Sequence, residues 1–291
     1  MDFYLTALLQ GLCFAPVALG VYISMKIFNI PDITTNGSYT LGAVVTAILL
    51  THHQQAYICL PAVIVAGAVA GAVTGIIHTK LKVNALLAGI LVMTALYSVN
   101  LSLMGRSNIP LINLPTIFTF INISADPNHN TFWTLLVFVS IITVIVAFVL
   151  KTDFGITMRA TGNSESMIRS LGVDTDRMKI IGLAVANSLT AISGYLFSQY
   201  QGYADISMGI SIVIVGLGSV IIVETLINWL KVTSIMLSLL FVLGGAIIFQ
   251  LVLAVTLDIG VDANLLQLVT AVFVLLIVSL PRIAARGNES F

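Results

Sequence analysis

Long apolar runs separated by short polar stretches dominate the chain, and their lengths predict its fold. A helix needs roughly 20 mostly apolar residues to cross a membrane, because in hydrocarbon its backbone polar groups must be satisfied within the helix. The pattern therefore predicts an all-α, polytopic membrane bundle of about nine spans, within a range of about eight to ten. The runs lie near residues 5–28, 38–51, 56–79, 84–104, 131–150, 178–200, 208–228, 232–255 and 264–281.

Composition supports a membrane protein and argues against several other classes. Hydrophobic residues make up 58% of the 291 residues and charged residues only 8%, too few to cover a water-exposed surface. Strict alternation of apolar and polar residues, the mark of a transmembrane β-barrel, is missing from the runs. The net charge is zero and there is no basic arm, so we expect no nucleic-acid partner. We expect residues 1–291 to form a single transmembrane domain.

One long polar passage, residues 151–179, interrupts the apolar pattern. It holds five of the twelve basic residues and four of the twelve acidic ones, as the surface of a soluble domain does. Within it, Asn163 or Ser164 can cap a short helix, and Gly172 can end that helix in the left-handed conformation. This helix, about Ser164 to Leu171, is too short to be stable alone in water. We interpret the passage as a docking surface for a partner protein.

Basic residues predict which ends of the spans face the cytoplasm. They cluster near residues 80–82, in the 151–179 passage and near residues 282–286. Because loops rich in Lys and Arg stay in the cytoplasm, all three clusters are assigned to that side. Residues 105–130 then form a long outer loop, which either meets a substrate-delivery protein or simply covers the bundle.

Polar interruptions match between the two halves of the chain. PDIT at 31–34 corresponds to ADIS at 204–207, and VNALL at 83–87 corresponds to ANLL at 263–266. In the predicted topology the two copies of each motif begin on opposite sides of the membrane. The halves, about 30–105 and 204–281, are therefore predicted to be inverted repeats, an arrangement typical of transporters with the pathway at the interface.

Nine residues in or near these interruptions are our candidates for the translocation pathway. Irregular backbone at membrane depth is tolerated only beside protein or water, which favours positions next to a polar route. Asp32 and Asp205 have an alternative role as helix caps or solvated loop charges. The candidates are Asp32, Thr34, Asn36, Gly37, Asn84, Asp205, Ser207, Gly209 and Asn264.

The sequence shows no residues at catalytic or metal-ligand spacing. Cys13 and Cys59 lie in or at the ends of apolar runs, and the adjacent His52 and His53 would point about 100° apart on a helix. No Lys follows a Gly, so a phosphate-binding P-loop is missing. We expect no enzymatic activity and no metal site.

A stripe of glycines lies on one predicted span. Gly67, Gly71 and Gly75 recur at every fourth position, which lets two helices approach closely. The stripe either packs inside the subunit or forms a dimer interface.

The polar passage and its surroundings resemble a known family. Residues 153–183, DFGITMRATGNSESMIRSLGVDTDRMKIIGL, look like the cytoplasmic loop of permease subunits of bacterial ABC importers, in the branch that includes branched-chain amino acid and ribose permeases. The resemblance continues through ANSL at 186–189 and NALLAGI at 84–90, and is closest to an uncharacterised subgroup proposed to carry tryptophan or tyrosine. The matching loop positions are Gly155, Arg159, Ala160, Gly162, Asn163, Gly172 and Val173.

The resemblance implies the partners and the coupling site. The permease would form a homodimer, or a dimer with a similar permease, in the bacterial cytoplasmic (inner) membrane. It would rest on two ATP-binding subunits, which hold the ATP and Mg²⁺, and receive an amino acid or similar small solute from an extracytoplasmic binding protein. This chain would hold no cofactor. Its coupling helix would contact the ATPase through Asn163, Ser164, Glu165, Met167, Ile168, Arg169 and Gly172.

Alternative interpretations remain open at the level of sequence. An ion-coupled secondary transporter could share the inverted halves, but it would need acidic residues deep in the membrane, whereas Asp and Glu here lie at the ends of the runs. A structural scaffold would not need matched polar interruptions. Arg159, Arg169 and Arg177 could face anionic lipid headgroups instead of a protein. Permeases of this branch often have ten spans, against about nine predicted here.

Overall fold

The chain folds as a helical bundle in a computed structural model that describes residues 2–120, 126–232, 234–262 and 265–288. Two three-residue strands are the only strands in these ranges. The elements are α1 (Asp2–Val21, continued by a π-helical segment Tyr22–Ile27), α2 (Thr34–Thr51), α3 (Ala56–Thr79), α4 (Ala85–Met104), β1 (Asn108–Pro110), α5 (Ile117–Phe120), α6 (Pro127–Lys151), α7 (Asp153–Asn163), α8 (Glu165–Ser170), α9 (Thr175–Gln201), β2 (Tyr203–Asp205), α10 (Ile212–Leu230), α11 (Ile235–Asp258) and α12 (Leu266–Asn288).

Six helices in the described part of the chain are long and apolar enough to cross a membrane. They are α1 with its π-helical end, α3, α4, α6, α9 and α11. The other three predicted runs also form helices, namely α2, α10 and α12. Helix α2 begins with the polar sequence TTNGSYT. Helices α10 and α12 have shorter apolar stretches, Ile212–Ile227 and Leu266–Ile277. The all-α membrane bundle is thus confirmed, while about nine spans and the inverted symmetry stay predictions.

Helix α9 lies at the centre of the bundle and packs against α1, α2 and α3. The glycine stripe of α3 makes one of these contacts. A Cβ added at Gly71 would collide with the carbonyl oxygen of Leu183, and one at Gly75 would lie 2.7 Å from the Cα of Ile180. Of the two roles open for the stripe, the structure shows packing inside the subunit, because the missing side chains let the backbones of α3 and α9 approach.

A short antiparallel pair of strands closes the end of the bundle where α4 and α9 finish. In its register, Asn108 lies opposite Asp205 and Pro110 lies opposite Tyr203. The predicted outer loop 105–130 is therefore partly ordered against the chain that follows α9. We call this the hairpin end of the molecule.

Candidate functional site

Helix α8 lies at the opposite end of α9, which we call the α8 end. It spans Glu165–Ser170, near the predicted position, and Gly172 follows it with a φ of +85°. Ser164 occupies the N-cap position, but its side chain makes no capping hydrogen bond. The next helix, α9, is capped by Asp174, whose Oδ1 accepts a hydrogen bond from the N–H of Arg177 at 3.1 Å. The short helix is therefore held by its neighbours rather than by its own cap.

Glu165 ties α8 to the first turns of α9. Lys179 Nζ donates to its Oε2 at 2.6 Å, and Arg169 Nη2 donates to its Oε1 at 2.9 Å. The Thr175 hydroxyl donates to the same Oε1 at 3.2 Å. The hydrogen bond from Lys179, followed by smaller contributions from Thr175 and Arg169, holds the pKa of Glu165 below its ordinary value. The Glu165 carboxyl group is consequently ionised at neutral pH.

The same network reaches the turn between α3 and α4. Arg169 Nη2 also donates to Thr175 Oγ1 at 2.9 Å and to Asp176 Oδ1 at 3.3 Å. Lys80 Nζ donates to the other oxygen of Asp176 at 3.3 Å. Arg169, predicted to contact the ATPase, thus also has acidic partners within its own chain.

Two apolar side chains are exposed on α8 and at its C-cap, among polar neighbours. Met167 is 62% exposed and Leu171, one turn later, is 68% exposed, whereas Ile168 is only 9% exposed and packs inward. The predicted buried anchor from Ile168 therefore needs correction: in this subunit it contributes to internal packing. Leu171, which the sequence interpretation treated only as the end of the helix, replaces it on the surface that a partner can reach.

A polar cavity of about 340 Å³ lies directly behind α8. Asn84, a predicted pathway residue, lies in its wall and caps α4, with its Oδ1 accepting from the N–H of Leu86 at 2.9 Å. Glu165 and Lys179 also line this cavity. Asn84 is thus placed at the α8 end, away from most of the other pathway candidates.

Asp32 is buried in a hydrogen-bond network between α2 and α9. Its Oδ2 accepts from Asn187 Nδ2 at 2.7 Å and its Oδ1 accepts from the N–H of Thr34 at 2.9 Å. Asn187 Oδ1 in turn accepts from the Ser38 hydroxyl at 2.7 Å, and the Thr34 hydroxyl pairs with the Thr74 hydroxyl at 2.7 Å. Asp32 and Thr34 therefore hold the start of α2 in place and do not line the cavity described next.

A second cavity, of about 440 Å³, lies between α2, α4 and the segment that follows β2. Three predicted pathway residues, Asn36, Gly37 and Gly209, line it together. Asn36 Oδ1 accepts from the N–H of Val213 at 2.9 Å, and so joins α2 to the first turn of α10. The rest of the wall is formed by Thr40, Met93, Thr94, Tyr97, Ser98, Asn100, Ile206, Ile210 and Ser211. We call this space the α2–α4 cavity.

Asp205 and Ser207 belong to the hairpin end. Asp205 Oδ1 accepts from the N–H and the hydroxyl of Ser207, and its Oδ2 accepts from Asn108 Nδ2 at 3.2 Å. Partial burial acts to raise the pKa of Asp205, but these hydrogen bonds outweigh it and the net shift is downward. Asp205 and Asp32 thus each accept the backbone N–H two residues later, the same local turn in both proposed halves. Asn264, the last pathway candidate, lies outside the described residues.

Several side chains in these networks escape sequence reasoning because their partners are distant in the chain. Asn187 meets Asp32 across 155 positions, and Lys26 forms an ion pair with Glu224 across 198 positions. Asn100 gives no pattern of its own, although it lies in the wall of the α2–α4 cavity. The available signal was weak: a single amide within an otherwise apolar run.

Comparisons with known proteins agree with this architecture. Residues 3–279 match the family model described as "Branched-chain amino acid transport system / permease component". The chain is 36% identical over 278 residues to the tyrosine transport system permease protein of Clostridioides difficile, covering 94% of this chain and 90% of that protein. No solved structure matches the chain significantly.

Two more distant relatives are import permeases for other solutes. The ribose import permease protein RbsC of Haemophilus influenzae is 24% identical over 231 residues, covering 76% of this chain and 68% of that protein. The autoinducer 2 import system permease protein LsrC of Salmonella paratyphi B is 24% identical over 194 residues, covering 64% of this chain and 53% of that protein. With the match of the family model over nearly the whole chain, these likenesses show that the chain belongs to the permease-component family of branched-chain amino acid transport systems.

Proposed function

We propose that this permease is the membrane subunit of an ATP-driven importer, coupled to a separate ATPase through α8. The observation that carries the proposal is the exposed apolar pair Met167 and Leu171 on a helix that the Glu165 network fixes to α9. Exposed apolar side chains on a rigid, otherwise polar surface fit a protein interface, where they supply the buried anchors. The polar passage thus has the chemistry that docking to a partner requires.

The structure offers a path from α8 to the α2–α4 cavity. α9 has 27 residues, which corresponds to a length of about 40 Å, and α8 is bonded to its first turns. At its other end β2 follows directly, and the next segment lines the cavity. A displacement of α8 by a closing ATPase would therefore move α9, at the centre of the bundle, as a rigid body.

The proposed partners follow from the likeness to permease components of transport systems. Two ATP-binding subunits with ATP and Mg²⁺ would dock at the α8 end, on the cytoplasmic side, and a second permease copy would complete the pathway. An extracytoplasmic binding protein would deliver the solute at the hairpin end. We propose an amino acid or a similar small solute, in line with the relative named as a tyrosine transport permease.

A test of the docking role compares substitutions of exposed apolar side chains at the α8 end of the bundle. The double substitution Met167→Ser and Leu171→Ser removes the apolar pair, whereas Leu81→Ser changes a leucine that is 67% exposed in the α3–α4 turn. We expect the double variant to lose most ATPase co-purification and substrate-stimulated ATP hydrolysis, by about tenfold for two lost apolar anchors. Leu81→Ser should retain both. Normal stimulation in the double variant would contradict the docking role.

The buried Asp32 provides a specific reason to consider an ion-coupled transporter as the second candidate. It is a carboxyl group inside the protein, which is the kind of group such transporters use. Both of its oxygens, however, accept hydrogen bonds from Thr34 and Asn187. The test measures uptake into energised vesicles without ATP. Uptake that is driven by a proton or sodium gradient, and that is lost in Asp32→Asn, would favour this second candidate.

A further inference from the structure

One ion pair joins the end of α1 to α10. Lys26, in the π-helical segment that continues α1, donates to the carboxylate of Glu224, which lies 198 positions later in the chain. Glu224 is the only charged residue of α10, and it lies within the apolar stretch Ile212–Ile227. A charged side chain in such a stretch is costly unless it has a partner, and it often marks a functional position.

The segment that carries Lys26 has an unusual backbone. Residues Tyr22–Ile27 form a π-helix, and the N–H of Phe28 closes its last turn by donating to the carbonyl oxygen of Ile23 at 3.2 Å. Helices of this kind are rare in proteins and occur frequently at functional sites. Both the backbone and the ion pair therefore draw attention to the same end of α1.

The π-helical segment lies directly against α7, the helix that leads into α8. A Cβ added at Gly162 of α7 would collide with the carbonyl oxygen of Ile27. Asn29 Nδ2 also donates to the carbonyl oxygen of Gly162 at 3.3 Å. Only Ser164 separates α7 from α8. A displacement of α8 therefore acts on α7 and, through this close backbone contact, on the segment that holds Lys26.

Helix α10 connects the ion pair to the α2–α4 cavity. In its first turn, the N–H of Val213 donates to Asn36 Oδ1 at 2.9 Å, and Asn36 lines that cavity. One turn later Gly216 packs against α1, where an added Cβ would lie 2.7 Å from Val21 Cγ2. Glu224 lies about 16 Å beyond Val213 along the same helix. A pull on Glu224 therefore reaches the residues beside the cavity.

We propose that the Lys26–Glu224 ion pair is a positioning contact that transmits the movement of α8 to α10. The route runs from α8 through α7 and the π-helical segment to α10, and it is separate from the route along α9. This inference rests on the proposed function, since it assigns a second coupling path to the same permease. It adds two residues outside the docking surface that determine whether closure of the ATPase changes the α2–α4 cavity.

The test places a reporter thiol at the cavity in the complex of the permease with its ATPase. Ile210→Cys changes a wall residue that is 61% exposed, whereas the native Cys13 and Cys59 are buried. The rate of reaction with a water-soluble maleimide is measured on the permease chain, first without nucleotide and then with MgATP and vanadate to trap the closed ATPase. Trapping is verified in each variant by the loss of ATP hydrolysis. We expect closure to change the labelling rate when the ion pair is intact.

Charge variants of the pair are compared in this background. In Lys26→Gln and in Glu224→Gln, we expect the nucleotide-dependent change in labelling rate to shrink roughly two- to fivefold, the scale of an exposed ion pair. The reversed pair, Lys26→Glu with Glu224→Lys, should restore the change because it restores the attraction. Lys231→Gln is the matched control, since it removes a positive charge just beyond the end of α10. Lys231 has no ion-pair partner among the described residues, so this variant should behave as the wild type.

The outcomes separate this inference from the proposed function. A full nucleotide effect in both single variants, a reversed pair that does no better than they do, or an equal loss in Lys231→Gln would overturn the inference. So would a wild-type pair in which trapping of the ATPase leaves the labelling rate unchanged. If the single variants do not assemble, the reversed pair decides: a retained nucleotide effect supports the inference and a lost one overturns it. Failure of the wild-type chain to bind an ATPase would instead overturn the proposed function.

Discussion

At the scale of single residues, the Glu165 carboxylate determines whether α8 is held in one position. It receives hydrogen bonds from Lys179, Arg169 and Thr175, which lie on α8 and the start of α9. The helix has six residues, too few to be stable by itself. The position of α8 therefore depends on an ionised side chain.

Substitution of Glu165 by Gln should loosen α8 in a pH-dependent way. Because the folded-state pKa of Glu165 is lowered, the stabilisation is present above the ordinary pKa of a glutamate and is lost as the pH falls through the folded-state value. At pH 7 we expect roughly two- to fivefold faster proteolysis of the 163–172 region in the variant, the scale of an exposed ion pair.

The measurement is the ratio of variant to wild-type cleavage rates at each pH, which cancels the pH dependence of the protease. The ratio should approach one in acid, where the wild-type carboxyl is protonated. Ser166→Ala, at an exposed position of the same helix, serves as the control and should cleave at the wild-type rate throughout. A ratio that does not vary with pH would contradict the role of the carboxylate.

At the scale of elements, close contact between helices depends on glycines at defined positions. Gly71 of α3 faces the backbone of α9, where a Cβ would meet the carbonyl group of Leu183. Gly244 of α11 provides a matched case, because a Cβ there would have no atom within 4 Å. The same substitution therefore has opposite steric consequences at the two positions.

We expect Gly71→Ala to destabilise the bundle and Gly244→Ala to leave it unchanged or slightly more stable. Overpacking of a close helix contact costs about 1–3 kcal/mol, whereas replacing a helical glycine by alanine at an open position gains up to about 1 kcal/mol. Thermal unfolding in detergent micelles measures both. Equal stability of the two variants would show that α3 can move away from α9 without cost.

The elements themselves were largely predictable, and their long-range contacts were not. Each of the nine apolar runs forms a helix, and the short helix before Gly172 lies where its polar passage predicts it. The pairing of residues 108–110 with 203–205 was missed, because such short strands leave no alternating pattern. The partner of Asp32, Asn187, could not be predicted, because it lies 155 positions away, beyond the range of local patterns.

The candidate site was predicted in part for the same reason. Asn36, Gly37 and Gly209 come together in one cavity, while their place on a translocation pathway stays a prediction. Ile168 was misplaced because spacing alone does not tell which face of a two-turn helix packs inward. The orientation of such a helix is set by α7 and α9 and by the Glu165 network.

At the scale of the whole molecule, the two ends of the bundle are chemically different. The α8 end carries the ion-pair network, and the hairpin end carries a strand pair with exposed apolar side chains such as Ile112, which is 74% exposed. If α8 faces the cytoplasm, the hairpin end faces outward, because the long helix α9 separates them.

Single cysteine probes can test this sidedness directly. The native Cys13 and Cys59 are both 0% exposed, so the wild-type chain should react little with a maleimide reagent. With a membrane-impermeant maleimide, we expect Ile112→Cys to be labelled in intact cells and Leu171→Cys only after the membrane is opened. The wild-type chain is the control. Labelling of Leu171→Cys in intact cells would place α8 outside and exclude coupling to a cytoplasmic ATPase.

The strand pair at the hairpin end also acts as a latch between α4 and α9. β1 continues from α4 through residues 105–107, and β2 continues from α9 through Gly202, so the ladder joins the ends of these two helices. These ends cannot separate while the ladder is intact. A movement of α4 away from α9 at this end would therefore have to break the ladder, so the two helices can separate more easily towards the α8 end.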